Sequence, residues 1–366
     1  MNENENLDDS ANIEFKWLYC PICGTKIPQI KNIIYCIKCG VDLQYINTHM
    51  RMPSRKNTSY LVSPKAISQQ NFYLSNRPLR KKLSEEELLN LEDQKLWGSF
   101  ASIGITAAAY ILMNFVAVLV VIIFIFFTFN LENVLDFLVS PYFIIGTSFV
   151  ELIFILVPAL YIGKYLQNPT LNNRLILLGF TKKGFDKTKL VKEILIGLGF
   201  AVVGVTLVLS ISFLMEIILS LIFGYETMQD IFGTGGEVDA MIASADILSI
   251  FLLTIVMILI IGTTEEVLFR GFLQKGLVRS LGKSWGIVIT ALIFSSIHLI
   301  GIFMSLGSPK IFIISLIFNF FPFFAISLLL GLLFSWRKEN LIAVMITHGV
   351  YNALTIILAF IVFNLI

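Results

Sequence analysis

From about residue 100 onward the chain is a succession of long apolar runs separated by short polar or charged stretches. Seven runs stand out: Phe100 to Phe129, Tyr142 to Tyr165, Ile194 to Phe223, Ile247 to Val278, Trp285 to Met304, Ile311 to Trp336 and Leu341 to Ile366. Each reaches the ~20 residues that a helix needs to cross ~30 Å of hydrocarbon. Pro322 offers a kink or a split in the sixth run, so the expected count is about seven helices, or eight if that run divides. Asn114 and Asn319 read as interhelical hydrogen-bonding or packing residues, the usual role of a single polar residue in a span. The predicted fold class is an all-α polytopic membrane protein.

The first 97 residues are soluble in character. Residues 46–97 read as a linker followed by an amphipathic helix. The linker carries Pro53, Ser54, Pro64, Ser68 and scattered Arg and Lys without a helical or strand period, which suits a loose tether. Ser84-Glu85-Glu86-Glu87 then reads as a capping box that opens a helix through Leu88, Leu89, Leu91 and Leu96. That helix lies along the membrane surface or simply continues into the first span.

Composition agrees with the pattern. Of 366 residues, 56% are hydrophobic and 14% charged, with a mean hydropathy of +0.82, far from the balance of a soluble domain. The net charge is only +2, and no nucleic-acid partner is expected. The distribution of charge says more. Bases gather in the N-terminal part, in the loop Lys164 to Lys192, at Lys275, Arg279 and Lys283, and at Arg337 and Lys338. The alternate loops, Leu131 to Ser140 and Gly224 to Asp246, carry acids and no base; Lys310 alone falls on their side. By the positive-inside rule the N-terminus is cytosolic and the C-terminus outside, in a multi-pass protein of a prokaryotic plasma membrane. Met1 to Ser10 is acidic and polar, so no secretory signal peptide is expected there. No internal repeat is evident.

All four cysteines precede residue 40. Cys20-Pro-Ile-Cys23-Gly24 and Cys36-Ile-Lys-Cys39-Gly40 are two C-x-x-C-G knuckles, a pattern suited to tetrahedral zinc–thiolate coordination, with each glycine letting the backbone turn around the metal. Residues 1–45 therefore read as a small ribbon holding a structural zinc, similar to ribbons at the ends of many prokaryotic proteins. The alternative is two disulfides in a secreted domain, which the cytosolic placement disfavours. His49 reads as a solvated loop residue, since four thiolates already complete a tetrahedral set. A protein partner is a further expectation for the ribbon.

The stretch Gly262 to Arg270 needs most explanation. It places Glu265, Glu266 and Arg270 in an otherwise apolar span, where one charge costs about 2.5–3.5 kcal/mol or more. Glu266 and Arg270 are four apart with the acid first, the favourable order for a helical ion pair. Glu265 lies about 100° around the helix from Glu266 and is free for other work. The chain has three histidines, and two of them, His298 and His348, fall in spans. Counted by helical rise from the nearest bases, Glu265 and His348 lie about 15 Å deep, and His298 and Asn352 about 21–22 Å. These groups can therefore share a layer, with Glu265 desolvated as a general base requires. A buried polar network that only holds helices together is the plain alternative. Glu151 and Glu216 are further acids in apolar runs, suited to lining a cavity or to a protonated hydrogen bond.

Glu265-Glu266-x-x-x-Arg270, Phe294-x-x-x-His298 and His348-x-x-x-Asn352 together resemble the three motifs of the CPBP intramembrane proteases, the ABI or CAAX-protease family that includes the Ras-converting endopeptidase. The resemblance covers the last four runs and implies a protease domain over 98–366, with its motif core at about 247–366. It implies that Glu265 and His298 activate the attacking water and that His348 and Asn352 stabilise the oxyanion. A catalytic zinc bound by Glu265, His298 and His348 stays open, as does a metal-free mechanism. The implied substrates are membrane-associated proteins or peptides, prenylated CAAX-type tails among them. Two other classes fit the same groups: a proton- or ion-coupled transporter using the cluster as a relay, and a non-catalytic immunity or scaffold protein. The missing inverted repeat counts against the transporter.

Overall fold

The computed structural model describes residues 18–27, 35–36, 38–49, 82–84, 88, 96–128, 138, 140–180, 187–232, 241–242, 245–300, 302 and 309–365. The chain divides into two compact units, Met1–Lys81 and Lys82–Ile366.

The first unit is built on its cysteines. Gly24 and Gly40 adopt φ of +66° and +72°, the left-handed conformation that glycine takes at least cost. Each glycine N–H donates to the carbonyl of the first cysteine in its knuckle, Gly24 to Cys20 and Gly40 to Cys36. The thiols are free, so the disulfide alternative is not taken. Sγ–Sγ distances are 3.7 Å for Cys20–Cys39 and 3.6 Å for Cys23–Cys36. Thiolates bound at ~2.3 Å to a tetrahedral ion stand about 3.8 Å apart, so this set could bind a metal ion. Val41, Leu43 and Ile46 form a small core beside the cysteines. His49 is not in a loop: it is the last residue of helix α1, Leu43–His49. The expected linker at 50–81 lies outside the described residues. So does most of the expected amphipathic helix, including Glu85 to Glu87.

The second unit is helical. Its elements are α2 (Ser99–Thr128), α3 (Pro141–Tyr165), α4 (Lys187–Phe223), α5 (Ile247–Leu281), α6 (Lys283–His298), α7 (Pro309–Trp336) and α8 (Leu341–Leu365), with short helices Leu171–Leu178 after α3 and Tyr225–Phe232 after α4. Six of them, all but α6, are long and apolar enough to cross a membrane. Local chemistry sets their ends. Ser140 caps the Pro141 start of α3 by accepting from the Phe143 N–H, and Asp246 and Ser249 form a reciprocal capping box at the start of α5. Gly282, at φ +82°, reverses the chain between α5 and α6.

Three expectations change here. The fifth run gives a helix of 16 residues, α6, which ends at His298 with Leu299 as its cap. At 1.5 Å per residue it spans about 24 Å, short of a full crossing. Pro322 does not split the sixth run, because α7 runs unbroken from Pro309 to Trp336 with that proline buried among its neighbours. Asn114 and Asn319, among the described residues, make no hydrogen bond between helices: each donates to the carbonyl one turn back in its own helix, at 2.9 and 2.8 Å, which leaves packing as their interhelical role.

The unit is organised around α5. Every residue from Glu266 to Leu277 is buried, so the charges of this span face protein rather than lipid. Glu266, Arg270 and Gln274 follow each other at four-residue steps and make one polar stripe. On α7, Ser327, Gly331 and Ser335 repeat that step and answer it: Arg270 donates to the Ser327 hydroxyl at 2.8 Å, and Gln274 to the Gly331 carbonyl at 3.0 Å. Apolar residues close the rest, with Trp97 stacked on Phe272 at 5.0 Å and donating its indole N–H to the Phe272 carbonyl. Helix α8 crosses α5 at glycines. A Cβ at Gly262 would lie 2.6 Å from the Gly349 backbone, and one at Gly349 2.6 Å from Ile258 Cα. This close approach brings His348 to Glu266.

The α7–α8 turn holds Lys338 and Glu339 in left-handed conformation, at φ 54° and 62°, without glycine. Lys275 pairs with Glu339 at 3.1 Å, and Arg337 pairs with Glu193 of α4. Burial opposes the Glu339 charge, but Lys275 and Arg279 hold its carboxyl below the usual range.

Candidate active site

Three helices bring the motif residues together. Glu265 and Glu266 come from α5, His298 from the last residue of α6, and His348 from α8. The α5 segment that carries both acids, Gly262–Glu266, lies between two π-helical stretches, Met257–Ile261 and Val267–Gln274. Such widenings recur at functional sites, because the extra residue per turn redirects side chains.

Glu266 is fully buried and bonded on one oxygen by two partners. Its Oε1 accepts from Arg270 Nη1 at 2.6 Å and from His348 Nδ1 at 2.7 Å. Arg270, itself fully buried, lies with its guanidinium carbon 4.9 Å from the Phe294 ring centre, a cation–π distance. The chain Arg270–Glu266–His348 links α5 to α8 and fixes the proton of the neutral imidazole on Nδ1, since the ionised carboxylate can only accept.

Glu265 faces the opposite way around this cluster. Its Oε1 lies 3.9 Å from His298 Nε2, and its Oε2 3.7 Å from His348 Nε2. His298 Nδ1 donates to the Phe294 carbonyl at 2.8 Å, which leaves Nε2 of that ring facing Glu265 as well. Phe294 and Phe323 flank His298, with ring centres 4.2 and 4.8 Å away. Both imidazoles are thus held by Nδ1 and present Nε2 to one carboxylate. Glu265 Oε2 is buried and has no hydrogen-bond partner among the described residues.

Asn352 stands one turn beyond His348 on α8, partly buried, and its side chain makes no hydrogen bond to the cluster among the described residues. The four cysteines belong to the first unit and are described with it. Several contributors were not singled out from sequence. Ser327 secures Arg270, Phe323 covers His298, and Gly262 and Gly349 set the helix crossing. Thr264 donates to Glu151 Oε2 at 3.0 Å, which places the acid of the second run beside the motif. A signal for that contact was present in the unexplained carboxylate at Glu151.

Neither a curated protein nor a solved structure matches the chain. The family described as type II CAAX prenyl endopeptidase Rce1-like does match, over residues 247–354, the segment that supplies Glu265, Glu266, Arg270, His298, His348 and Asn352. With six helices long and apolar enough to cross a membrane, three of them in or overlapping that segment, the chain is an integral membrane protein whose residues 247–354 match the Rce1-like CAAX prenyl endopeptidase family.

Proposed function

We propose that Glu265 is the general base of peptide-bond hydrolysis within the membrane unit, acting on membrane-associated proteins or peptides, prenylated CAAX-type tails among them. The observation that carries this reading is the placing of both Glu265 oxygens opposite two imidazole Nε2 atoms, at 3.9 and 3.7 Å. Those separations exceed a direct hydrogen bond and suit a shared water. One water hydrogen points to Glu265 and the other to His298 Nε2. Glu265 takes its proton as the water oxygen bonds to the scissile carbonyl carbon, and the carbonyl electrons move onto oxygen. His348 Nε2–H and the Asn352 amide donate to that oxyanion. For this His348 carries two protons, and Glu266 on Nδ1 balances its charge, the part an aspartate plays beside a catalytic histidine. Glu265 then passes its proton to the departing nitrogen, the C–N bond breaks, and an amine and a carboxylic acid leave, the acid giving its proton to solvent.

Two histidines and a carboxylate are also a zinc donor set, and anchored Nδ1 atoms are typical of zinc-bound histidines. Glu265, His298 and His348 would be the ligands, and the ion would lower the pKa of its bound water. Among the described residues, however, the four cysteines are the one group of three or more metal-binding side chains whose donor atoms all lie within 4.8 Å. The steps above therefore use this chain's own groups. The basic loops, the ribbon and the substrate approach are assigned to the cytosolic side by the positive-inside rule.

The test is cleavage of a membrane-anchored peptide by the purified full-length protein in liposomes, with the new C-terminus read by mass spectrometry. His298→Ala is expected to lower kcat by about a hundredfold or more; cleavage at the wild-type rate would overturn the reading. Zinc in the ribbon is tested separately. Cys20→Ser with Cys36→Ser is expected to remove the bound zinc of the full-length protein and to expose the first unit to proteolysis, because metal-binding energy in such domains is folding energy. Chelator added to that variant leaves cleavage unchanged if Glu265 works without a metal, whereas a loss restored by zinc would assign a metal to the second site.

A further inference from the structure

We propose that Glu151 is a positioning residue for Glu265, acting through Thr264; this rests on the reading of Glu265 as the base. Glu151 lies in the 3-10 turn Phe149–Leu152, where α3 tightens midway through its span. Its Oε2 accepts the hydroxyl of Thr264 at 3.0 Å, and Thr264 is fully buried and immediately precedes Glu265.

The same hydroxyl also lies 3.2 Å from the carbonyl of Ile261, three residues back in its own helix. That is the ordinary partner of a helical threonine, and it satisfies the donor without any help from α3. A carboxylate in a membrane span is expensive, so satisfying one hydroxyl that already has an acceptor does not account for Glu151.

The local backbone gives the contact its purpose. Gly262–Glu266 is a single helical turn between two π-helical stretches. The change of pitch on either side makes the direction in which Glu265 points depend on small shifts of this turn, and a tie from a second helix holds it. The Glu151–Thr264 bond supplies that tie from α3. A displacement of about 1 Å at a catalytic group can cost about a hundredfold in rate.

The experiment is steady-state cleavage by the full-length protein in liposomes for Glu151→Ala, Thr264→Val and the double variant. Glu151→Gln and Thr264→Ser serve as conservative partners, because each keeps the hydrogen-bonding atom of its side chain. Glu151→Ala and Thr264→Val are each expected to lower kcat about tenfold to a hundredfold, with KM unchanged within about a factor of two. The double variant should be no worse than either single one, and the conservative variants should recover most of the rate. Wild-type kcat in Thr264→Val, multiplying losses in the double variant, or a loss carried by KM would each overturn the proposal. If Glu151→Ala does not fold, the Thr264→Val and Thr264→Ser pair decides by itself. Glu265→Gln run in parallel separates the two claims. An inactive Glu265→Gln beside a fully active Thr264→Val sinks the positioning role alone, whereas an active Glu265→Gln sinks the reading on which it rests.

Discussion

Arg270→Met is expected to destabilise the membrane unit by about 3–5 kcal/mol, the usual cost of leaving one partner of a buried ion pair uncompensated. Both groups are inaccessible to solvent, so no water replaces the lost guanidinium. The change removes the 2.6 Å bond to Glu266, the bond to Ser327 on α7 and the cation–π contact with Phe294. The remaining carboxylate can recover part of its stabilisation only by drawing a proton, which would weaken its hold on His348 Nδ1. Unfolding followed in detergent should show the loss, and cleavage should fall with it. Adding Glu266→Gln to Arg270→Met removes the orphan charge and should restore much of the stability. On the proposed mechanism it should not restore cleavage, because a neutral amide would no longer balance the imidazolium that the mechanism assigns to His348. Arg270→Met that unfolds as wild type would show that the pair contributes little to the fold.

The spans were legible because hydrophobic length is a one-dimensional property: a run of about 20 apolar residues has few other uses. The knuckles were legible for a similar reason, since C-x-x-C-G carries both the cysteines and the glycine that the turn requires. Gly24 and Gly40 indeed sit at positive φ. What failed to show in the sequence depends on neighbours. Helix α6 ends at His298 although apolar residues continue beyond it. Pro322 passes inside a continuous helix because packing, not propensity, decides there. Asn114 and Asn319 turn to their own backbones, an option that a span always offers a short amide.

The site divides along the same line. The four-residue spacing displayed Arg270 beside Glu266, because that relation lies within one helix. The bond from Glu266 to His348 is a relation between helices, and it depends on the Gly262–Gly349 crossing, which no spacing rule displays. The Thr264–Glu151 contact spans 113 residues and was equally hidden.

Glu265→Gln is the counterpart of Arg270→Met. It is expected to lower kcat by about a thousandfold, within the range of about 10²–10⁴ for loss of a general base, while leaving the fold intact. The difference between the adjacent acids follows from their contacts. Both Oε2 atoms are buried without a hydrogen-bond partner among the described residues, but Glu266 Oε1 is tied to Arg270 and His348 at 2.6 and 2.7 Å, whereas Glu265 approaches its histidines only to 3.9 and 3.7 Å. Neutralising Glu265 therefore removes a charge that stabilises little, and its melting temperature should match or exceed that of the wild type. A glutamine of the same shape cannot take a proton from water.

The most direct measurement is single-turnover cleavage of one membrane-anchored peptide by wild type and Glu265→Gln, reconstituted side by side in the same liposomes and melted in parallel. The expected result is a new C-terminus from the wild type, about a thousandfold less of it from Glu265→Gln, and equal or higher thermal stability in the variant. Cleavage by Glu265→Gln at the wild-type rate would contradict the assignment of Glu265 as the base.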